Sequence, residues 1–180
     1  MAVATGESGV PEEVLSGWRN EYGHQAEENL GAVLDRLGVE NLKKDPDRDQ
    51  AEKLVREGRI AFRRASAKED FDEGIDFHLF NPLTGKMARV DMSVSNNPAV
   101  HAKKRERERE GGPRFLPLKA RNLENASRGA ERSIGEVWQG VNVLLLEDAL
   151  QQAQSGEVSI PEPQMAMIER KLQKLQESRR

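Results

Sequence analysis

The fold is decided by the stretch from residue 74 to residue 95, which reads GIDFHLFNPLTGKMARVDMSVS. Apolar side chains recur at every second position in both halves, and the middle of the stretch is rich in turn-forming residues. One face carries Ile75, Phe77 and Leu79 from the first half and Ala88, Val90, Met92 and Val94 from the second. The other face carries Asp76, His78 and Phe80, then Arg89, Asp91, Ser93 and Ser95. The pattern predicts a β-hairpin.

The pairing register of this hairpin can shift only in steps of two if its apolar positions are to share one side of the sheet. Three registers fit the loop. In the first, Asp76 lies directly opposite Asp91, with Cβ atoms roughly 5 Å apart. The second sets Asp76 against Arg89, and the third sets His78 against Asp91.

The first register predicts a site for a divalent cation. Two carboxylates that face each other destabilise a sheet unless one is protonated or a cation lies between them. Oxygen ligands suit a hard ion such as Mg²⁺, which activates water and neutralises a phosphodiester. The second register predicts instead an ordinary ion pair between Asp76 and Arg89. His78 lies on the same face as Asp76 and could join a site there.

Periodicity and capping signals predict the elements around the hairpin. They are a helix from Pro11 to Leu37, a loop over 43–49, a short helix through Val55, a strand over 59–66, an acidic turn over 68–73, the hairpin, a helix from Asn97 to the stop at Gly111, a strand over 114–120, a polar linker over 122–128, a helix from Ala130 to Gln154 and a terminal helix from Pro161 to Arg180. This order predicts an α/β fold with a small mixed sheet.

Composition limits the classes of function. The chain has 180 residues, enough for one domain with an appendage, and no cysteine, which excludes disulfides, thiolate catalysis and cysteine-based zinc sites. Its formal net charge of −3 creates no overall attraction to nucleic acid or anionic membranes, so such contacts need local patches. No apolar run approaches the roughly 20 residues that span a bilayer. We expect a flexible N-terminus over residues 1–10 without a signal peptide, and a cytoplasmic location.

Three short motifs resemble one known family. They are Gly23-His24-Gln25-Ala26-Glu27 followed by leucines and Gly38, then Glu73-Gly74-Ile75-Asp76, then Val90-Asp91-Met92-Ser93. With the order helix, three strands, helix and strand, they resemble the PD-(D/E)XK phosphodiesterase superfamily, which includes restriction enzymes and Holliday-junction resolvases. The resemblance implies a restriction-endonuclease-like αβββαβ core over residues 11–120, a nuclease-like α/β unit, with a helical C-terminal extension over 121–180.

The resemblance also implies a function. Glu27, Asp76 and Asp91 would hold Mg²⁺ or Mn²⁺, and the protein would be a metal-dependent nuclease that hydrolyses DNA. The chain departs from the family at Ser93, which stands where the family has a lysine that orients water or stabilises charge on phosphate. The replacement candidates are Lys103 or Lys104 on the following helix and Lys86 in the hairpin loop. The predicted catalytic set is Asp76, Asp91, Lys103 and Ser93.

The absent lysine leaves a second interpretation open, a catalytically inactive protein of nuclease fold that acts as a DNA-binding, structural or protein-interaction module. The Lys103-Lys104-Arg105 cluster could grip a DNA backbone. The terminal helix carries a narrow apolar stripe, which predicts pairing with a protein partner or with a second copy of the chain. The stripe consists of Met165, Ile168, Leu172 and Leu175.

Overall fold

The computed structural model describes the backbone of residues 12–178, and the side chains of residue 21 and of residues 23–178. The N-terminus predicted to be flexible, residues 1–10, lies outside this part of the chain, as does the predicted helix start at Pro11. Between the described ends, no helix is both long enough and apolar enough to cross a bilayer.

The described chain forms an α/β fold in which helices surround one mixed sheet. The helices are α1 (Glu12–Arg36), α2 (Arg48–Glu57), α3 (Ala67–Glu73), α4 (Pro98–Arg109), α5 (Ala120–Ser127), α6 (Glu131–Gln154) and α7 (Glu162–Glu177). The strands are β1 (Glu40–Asn41), β2 (Ala61–Arg64), β3 (Phe77–Asn81), β4 (Lys86–Ser93) and β5 (Arg114–Pro117). They lie in the order β1-β2-β3-β4-β5, and β3 alone of these five runs antiparallel to its neighbours. The predicted α/β class with a mixed sheet and C-terminal helices is confirmed.

The β3–β4 hairpin adopts the first of the three predicted registers. His78 pairs with Arg89. Arg89 therefore does not lie opposite Asp76, and for the same reason His78 does not lie opposite Asp91. The regular ladder stops one residue short of Asp76, whose backbone N–H donates to the carbonyl of Val90 at 2.8 Å. The first register thus brings the two aspartates to the same end of the hairpin.

The turn of the hairpin is fixed by Asn81. Its carbonyl accepts the N–H groups of Thr84 at 3.1 Å and of Gly85 at 2.9 Å, and Gly85 takes the positive φ of 70° that closes the turn. The buried side-chain amide of Asn81 donates to the carbonyl of Leu145 at 2.8 Å and to the carboxylate of Asp148 at 3.0 Å, both on α6. The turn is therefore anchored to α6, and this anchor helps to hold the register.

The central strands are buried on both faces. One face packs against α1, α5 and α6 and forms the main core. The other face packs Phe80 of β3 against Leu54 of α2, while α4 covers β5 through an edge-on contact between His101 and Phe115. Every residue of β3 is buried, although the sequence places polar side chains on alternate positions. The sheet is thus the middle of three layers.

Residues 68–73, predicted as an acidic turn, belong to helix α3, so this prediction is wrong. Ser66 and Glu69 form a reciprocal capping box at its start. Gly74 ends it in the left-handed conformation with φ of 62°. The helix is stabilised by its caps, and none of its side chains is buried. Its acidic sequence therefore lacks the apolar period that would predict a helix.

Residues 122–128, predicted as a polar linker, lie almost entirely in helix α5, so this prediction is also wrong. Leu123 and Ala126 are buried in the main core, but two apolar positions are too few to establish a helical period. The two-residue strand β1 was likewise not predicted. Both elements gain their stability from tertiary packing, which the local sequence does not encode.

The two C-terminal helices pack onto the rest of the chain. Helix α6 contributes Val137, Val141 and Leu144 to the core of the sheet. The stripe of α7 packs against α6 around Ile168, which is fully buried, and Leu146. The division of the chain at residue 120 and the association of α7 with a partner stay predictions, and the predicted helix end at Arg180 lies outside the described residues.

We expect Asn81→Ala to lower the free energy of unfolding by about 2–4 kcal/mol. The substitution removes two buried hydrogen bonds and leaves the Asp148 carboxylate with fewer partners. Urea denaturation at neutral pH measures the change. Asn96→Ala, at an exposed position before α4, is the control and should stay within about 0.5 kcal/mol of the parent protein. Equal stability for both variants would contradict the role of the anchor.

Candidate functional site

The candidate site lies where β3 begins and β4 ends. Asp91, on β4, is opposite Phe115 of β5 and is almost completely buried. Asp76 precedes β3, and its Oδ2 accepts the backbone N–H of Met92 at 2.6 Å. The hydrogen bond fastens the carboxylate of Asp76 to the strand that carries Asp91. This backbone hydrogen bond therefore holds the Asp76 carboxylate at the end of the hairpin where Asp91 lies.

Helix α4 supplies two cations to Asp91. The Lys104 ammonium donates to Oδ1 of Asp91, and also to the carbonyl of Met92 at 2.9 Å. The Arg107 guanidinium lies 3.8 Å from Oδ2 of Asp91. Lys104 and Arg107 are three residues apart and so share one face of the helix. This face neutralises the buried charge of Asp91.

Arg107 also ties α4 to the segment that leads into Asp76. Its guanidinium donates to the carbonyl of Glu73 at 3.1 Å. It lies so close to Gly74 that a Cβ built on this glycine would be 2.9 Å from a guanidinium nitrogen. Gly74 is favoured by its positive φ, and the end of the Arg107 side chain packs over it. Arg107 is not among the residues predicted from the sequence, although its spacing of three from Lys104 places both on one face of a helix.

The carboxyl group of Asp76 is not neutralised in the same way. Burial, with added repulsion from Asp91 and Glu27, raises the pKa of Asp76 to about 7. The Met92 N–H and the more distant Lys104 act in the opposite direction. Asp76 is therefore close to half protonated at neutral pH. A cation near this carboxyl group would lower its pKa.

Glu27 approaches from α1. It is partly buried, and His24 lies one turn earlier with its Nδ1 3.9 Å from Oε2 of Glu27. Burial raises the pKa of Glu27; His24 and Arg64 oppose the rise, whereas Asp70 adds to it. Glu27, on the first helix, is therefore close enough to Asp76 to add to the negative potential there.

An open cleft lies between α1 and α4. Glu27, Asp76 and Lys104 line it, together with the partly buried Ser93. The hydroxyl of Ser93 accepts the backbone N–H of Ser95 at 3.2 Å. Among residues whose side chains are described, no three acidic or histidine groups lie close enough together to hold a metal ion. The cation predicted for Glu27, Asp76 and Asp91 stays a prediction, as does the catalytic set.

The structure distinguishes between the lysine candidates by position. Lys104 reaches Asp91, whereas Lys103 is exposed on another side of α4. Lys86 lies at the turn end of the hairpin, where its ammonium donates to the carbonyl of Glu157 at 3.1 Å. The cleft therefore contains the alternative lysine, Lys104, and neither Lys103 nor Lys86 lines it.

His78 takes part in a separate cluster. Its Nε2 lies 3.1 Å from Oε1 of Glu69, and Glu69 also accepts two hydrogen bonds of 3.0 Å from Arg63. Burial, reinforced by Arg63, lowers the pKa of His78. This histidine is therefore neutral at physiological pH, and it does not line the cleft between α1 and α4. Arg63 is paired within this cluster, with Glu69 and with Asp45.

Comparison of the chain with protein-family models, curated proteins and solved structures gives no match.

We expect the free energy of unfolding to fall as pH rises from about 4 to about 7. The carboxyl of Asp76 has an ordinary pKa of 3.8 and a pKa of about 7 in the folded chain. Between these values the folded state binds more protons than the unfolded state, so a rising pH favours unfolding. Asp76→Asn removes this titration while its amide oxygen can still accept the Met92 N–H.

The Asp76→Asn variant should therefore be more stable than the parent protein at pH 8, by roughly 2–4 kcal/mol. The two should be nearly equal at pH 4. Urea denaturation at a series of pH values in the presence of a metal chelator measures the difference. A constant difference across the whole range would contradict the raised pKa of Asp76.

Proposed function

We propose that this chain is a metal-dependent nuclease that hydrolyses phosphodiester bonds in DNA, built on a restriction-endonuclease-like core. Helix α1, strands β2, β3 and β4, helix α4 and strand β5 follow one another in the αβββαβ order, with β1, α2 and α3 as additions. The observation that carries the proposal is the contact of Lys104 with Asp91 beside Asp76. This contact would supply a lysine to the two aspartates. In the family that the chain resembles, the lysine comes from the strand position that Ser93 occupies here.

The residues that would hold Mg²⁺ or Mn²⁺ are Glu27, Asp76 and Asp91. The chemistry of the donors fits a hard cation, because all of them are carboxylate oxygens and the Met92 carbonyl next to Asp91 already accepts a cationic group. The raised pKa of Asp76 further supports the fit, since burial first, and then repulsion from Asp91 and Glu27, disfavours its charge, and a nearby cation would offset both. When bound, such an ion would supply an activated water and neutralise the phosphodiester.

The residues of α4 would act on the substrate. The Lys104 ammonium would donate hydrogen bonds to a phosphate oxygen, and so stabilise the charge that develops there. The Arg107 guanidinium is 44% exposed and has further N–H groups for the same purpose. Of the candidates for the replacement lysine, Lys104 would take this role in place of Lys103. Ser93 would contribute its hydroxyl as a hydrogen-bond partner in the cleft.

The charge of α4 supports DNA as the substrate. Lys103, Arg105 and Arg109 are exposed on this helix. Arg105 also lies over the ring of Phe115, with its guanidinium carbon 5.4 Å from the ring centre. Such a local group of cations can bind a phosphate backbone although the whole chain is acidic.

A second candidate function, DNA binding without cleavage, is favoured by the neutralisation of Asp91. Lys104 and Arg107 already balance this carboxylate, so the fold does not need an ion at Asp91 to be stable. In that case the cleft would bind DNA through α4 and leave its phosphodiester bonds intact. A cleavage assay distinguishes the two functions.

We expect the purified protein to cleave DNA in the presence of Mn²⁺ or Mg²⁺ and not in the presence of a chelator. Lys104→Ala should reduce the cleavage rate by about 10²–10³-fold, the usual effect of removing one donor to a developing negative charge. Asp91→Asn should reduce it at least as much. Gel analysis of linear, nicked and single-stranded substrates measures the rates.

Lys171→Ala, which removes an exposed lysine from α7, is the control and should leave the rate unchanged. Metal-independent activity, or equal loss in Lys104→Ala and Lys171→Ala, would contradict the proposed nuclease. DNA binding with no cleavage under any of these conditions would favour the second candidate.

A further inference from the structure

The ammonium group of Lys104 lies in surroundings that would also suit a metal ion. It is bound by a carboxylate oxygen of Asp91 and by the carbonyl oxygen of Met92. Carboxylate and carbonyl oxygens are the ligands that hard divalent cations take in proteins. The ammonium also lines the cleft that contains Glu27 and Asp76. The Lys104 ammonium thus already binds two oxygen atoms that a divalent cation could use as ligands.

The other cation at Asp91 is held differently. Arg107 donates to the carbonyl of Glu73, packs over Gly74 and lies at a longer distance, 3.8 Å, from Asp91. The contacts of Arg107 with Glu73 and Gly74 do not involve the Asp91 carboxylate. Lys104 makes its two hydrogen bonds only to Asp91 and Met92. Lys104 is therefore the cation that can leave without disturbing the α3–β3 connection.

The side chain of Lys104 is able to make such a movement. It extends from α4 on four flexible methylene groups, and 23% of the side chain is exposed to the cleft. Rotation about these bonds can move the ammonium towards solvent while α4 stays in place. The charge of Asp91 would then be free for another cation.

We propose that Lys104 is an internal counter-cation, which holds Asp91 and the Met92 carbonyl in the absence of a divalent ion and competes with that ion for the same two oxygens. The inference rests on the proposed function and adds a regulation of the same site. Loading with the ion would release the ammonium into the cleft, where a phosphate could receive it. The competition would also weaken the affinity for the ion, because part of the binding free energy is spent on displacing Lys104.

The test is the affinity for Mn²⁺ measured by calorimetry on the full chain without DNA. Lys104→Met removes the competing charge and keeps a side chain of similar length, so the dissociation constant should fall by about tenfold or more. Lys104→Gln keeps a donor for Asp91 and Met92 without the charge, and should show the same direction if Lys104→Met does not fold. Circular dichroism establishes folding before each titration.

Lys103→Met is the matched control, because it removes an equal charge from an exposed position one residue away on the same helix. At 0.15 M salt its dissociation constant should stay within about twofold of the parent value. Tighter binding by the Lys104 variants alone supports the competition. Unchanged or weaker binding by these variants overturns it and leaves the proposed function standing. Absence of Mn²⁺ binding by the parent protein and all variants overturns the proposed metal site and the inference together.

Discussion

The pairing of β3 with β4 in a single register is the constraint on which the rest of the structure depends. A shift of two residues would keep the apolar faces together, so hydrophobic burial alone does not choose among the registers. The choice is supported at the turn, where Asn81 closes the backbone and reaches Asp148 on α6. At the other end the same register places Asp76 beside Asp91. A tertiary hydrogen bond thus helps to determine which charges meet.

Those two carboxylates experience opposite electrostatic surroundings. Asp91 is more deeply buried but has two cations from α4, so its charge is balanced within the fold. Asp76 has a backbone N–H as its direct partner, and burial raises its pKa. The difference arises because Lys104 and Arg107 pair directly with Asp91, whereas the direct partner of Asp76 is a backbone N–H and Lys104 acts on it from a greater distance. Burial without a directly paired cation is thus the reason that the pKa of Asp76 is raised to about 7, whereas the charge of the Asp91 carboxylate is paired.

The sequence predicted the hairpin, α4 and the opposition of the two aspartates as one of three choices, because period-two alternation and the cap at Asn97 are local signals. It could not choose between Lys103 and Lys104. Neighbouring residues point about 100° apart on a helix, and the rotation of α4 about its axis is set by packing against Phe115. Helices α3 and α5 were missed because caps and two buried positions hold them, without a periodic stripe.

Ser93 stands where the family that the chain resembles has a lysine, and the geometry of β4 bears on this difference. Asp91 and Ser93 are two residues apart, so their side chains project from the same side of the strand. Helix α4 covers that side, and Lys104 reaches it from above. The lysine on the covering helix brings to Asp91 the charge that a lysine at residue 93 would bring along the strand. The substitution at residue 93 is therefore compatible with the proposed chemistry.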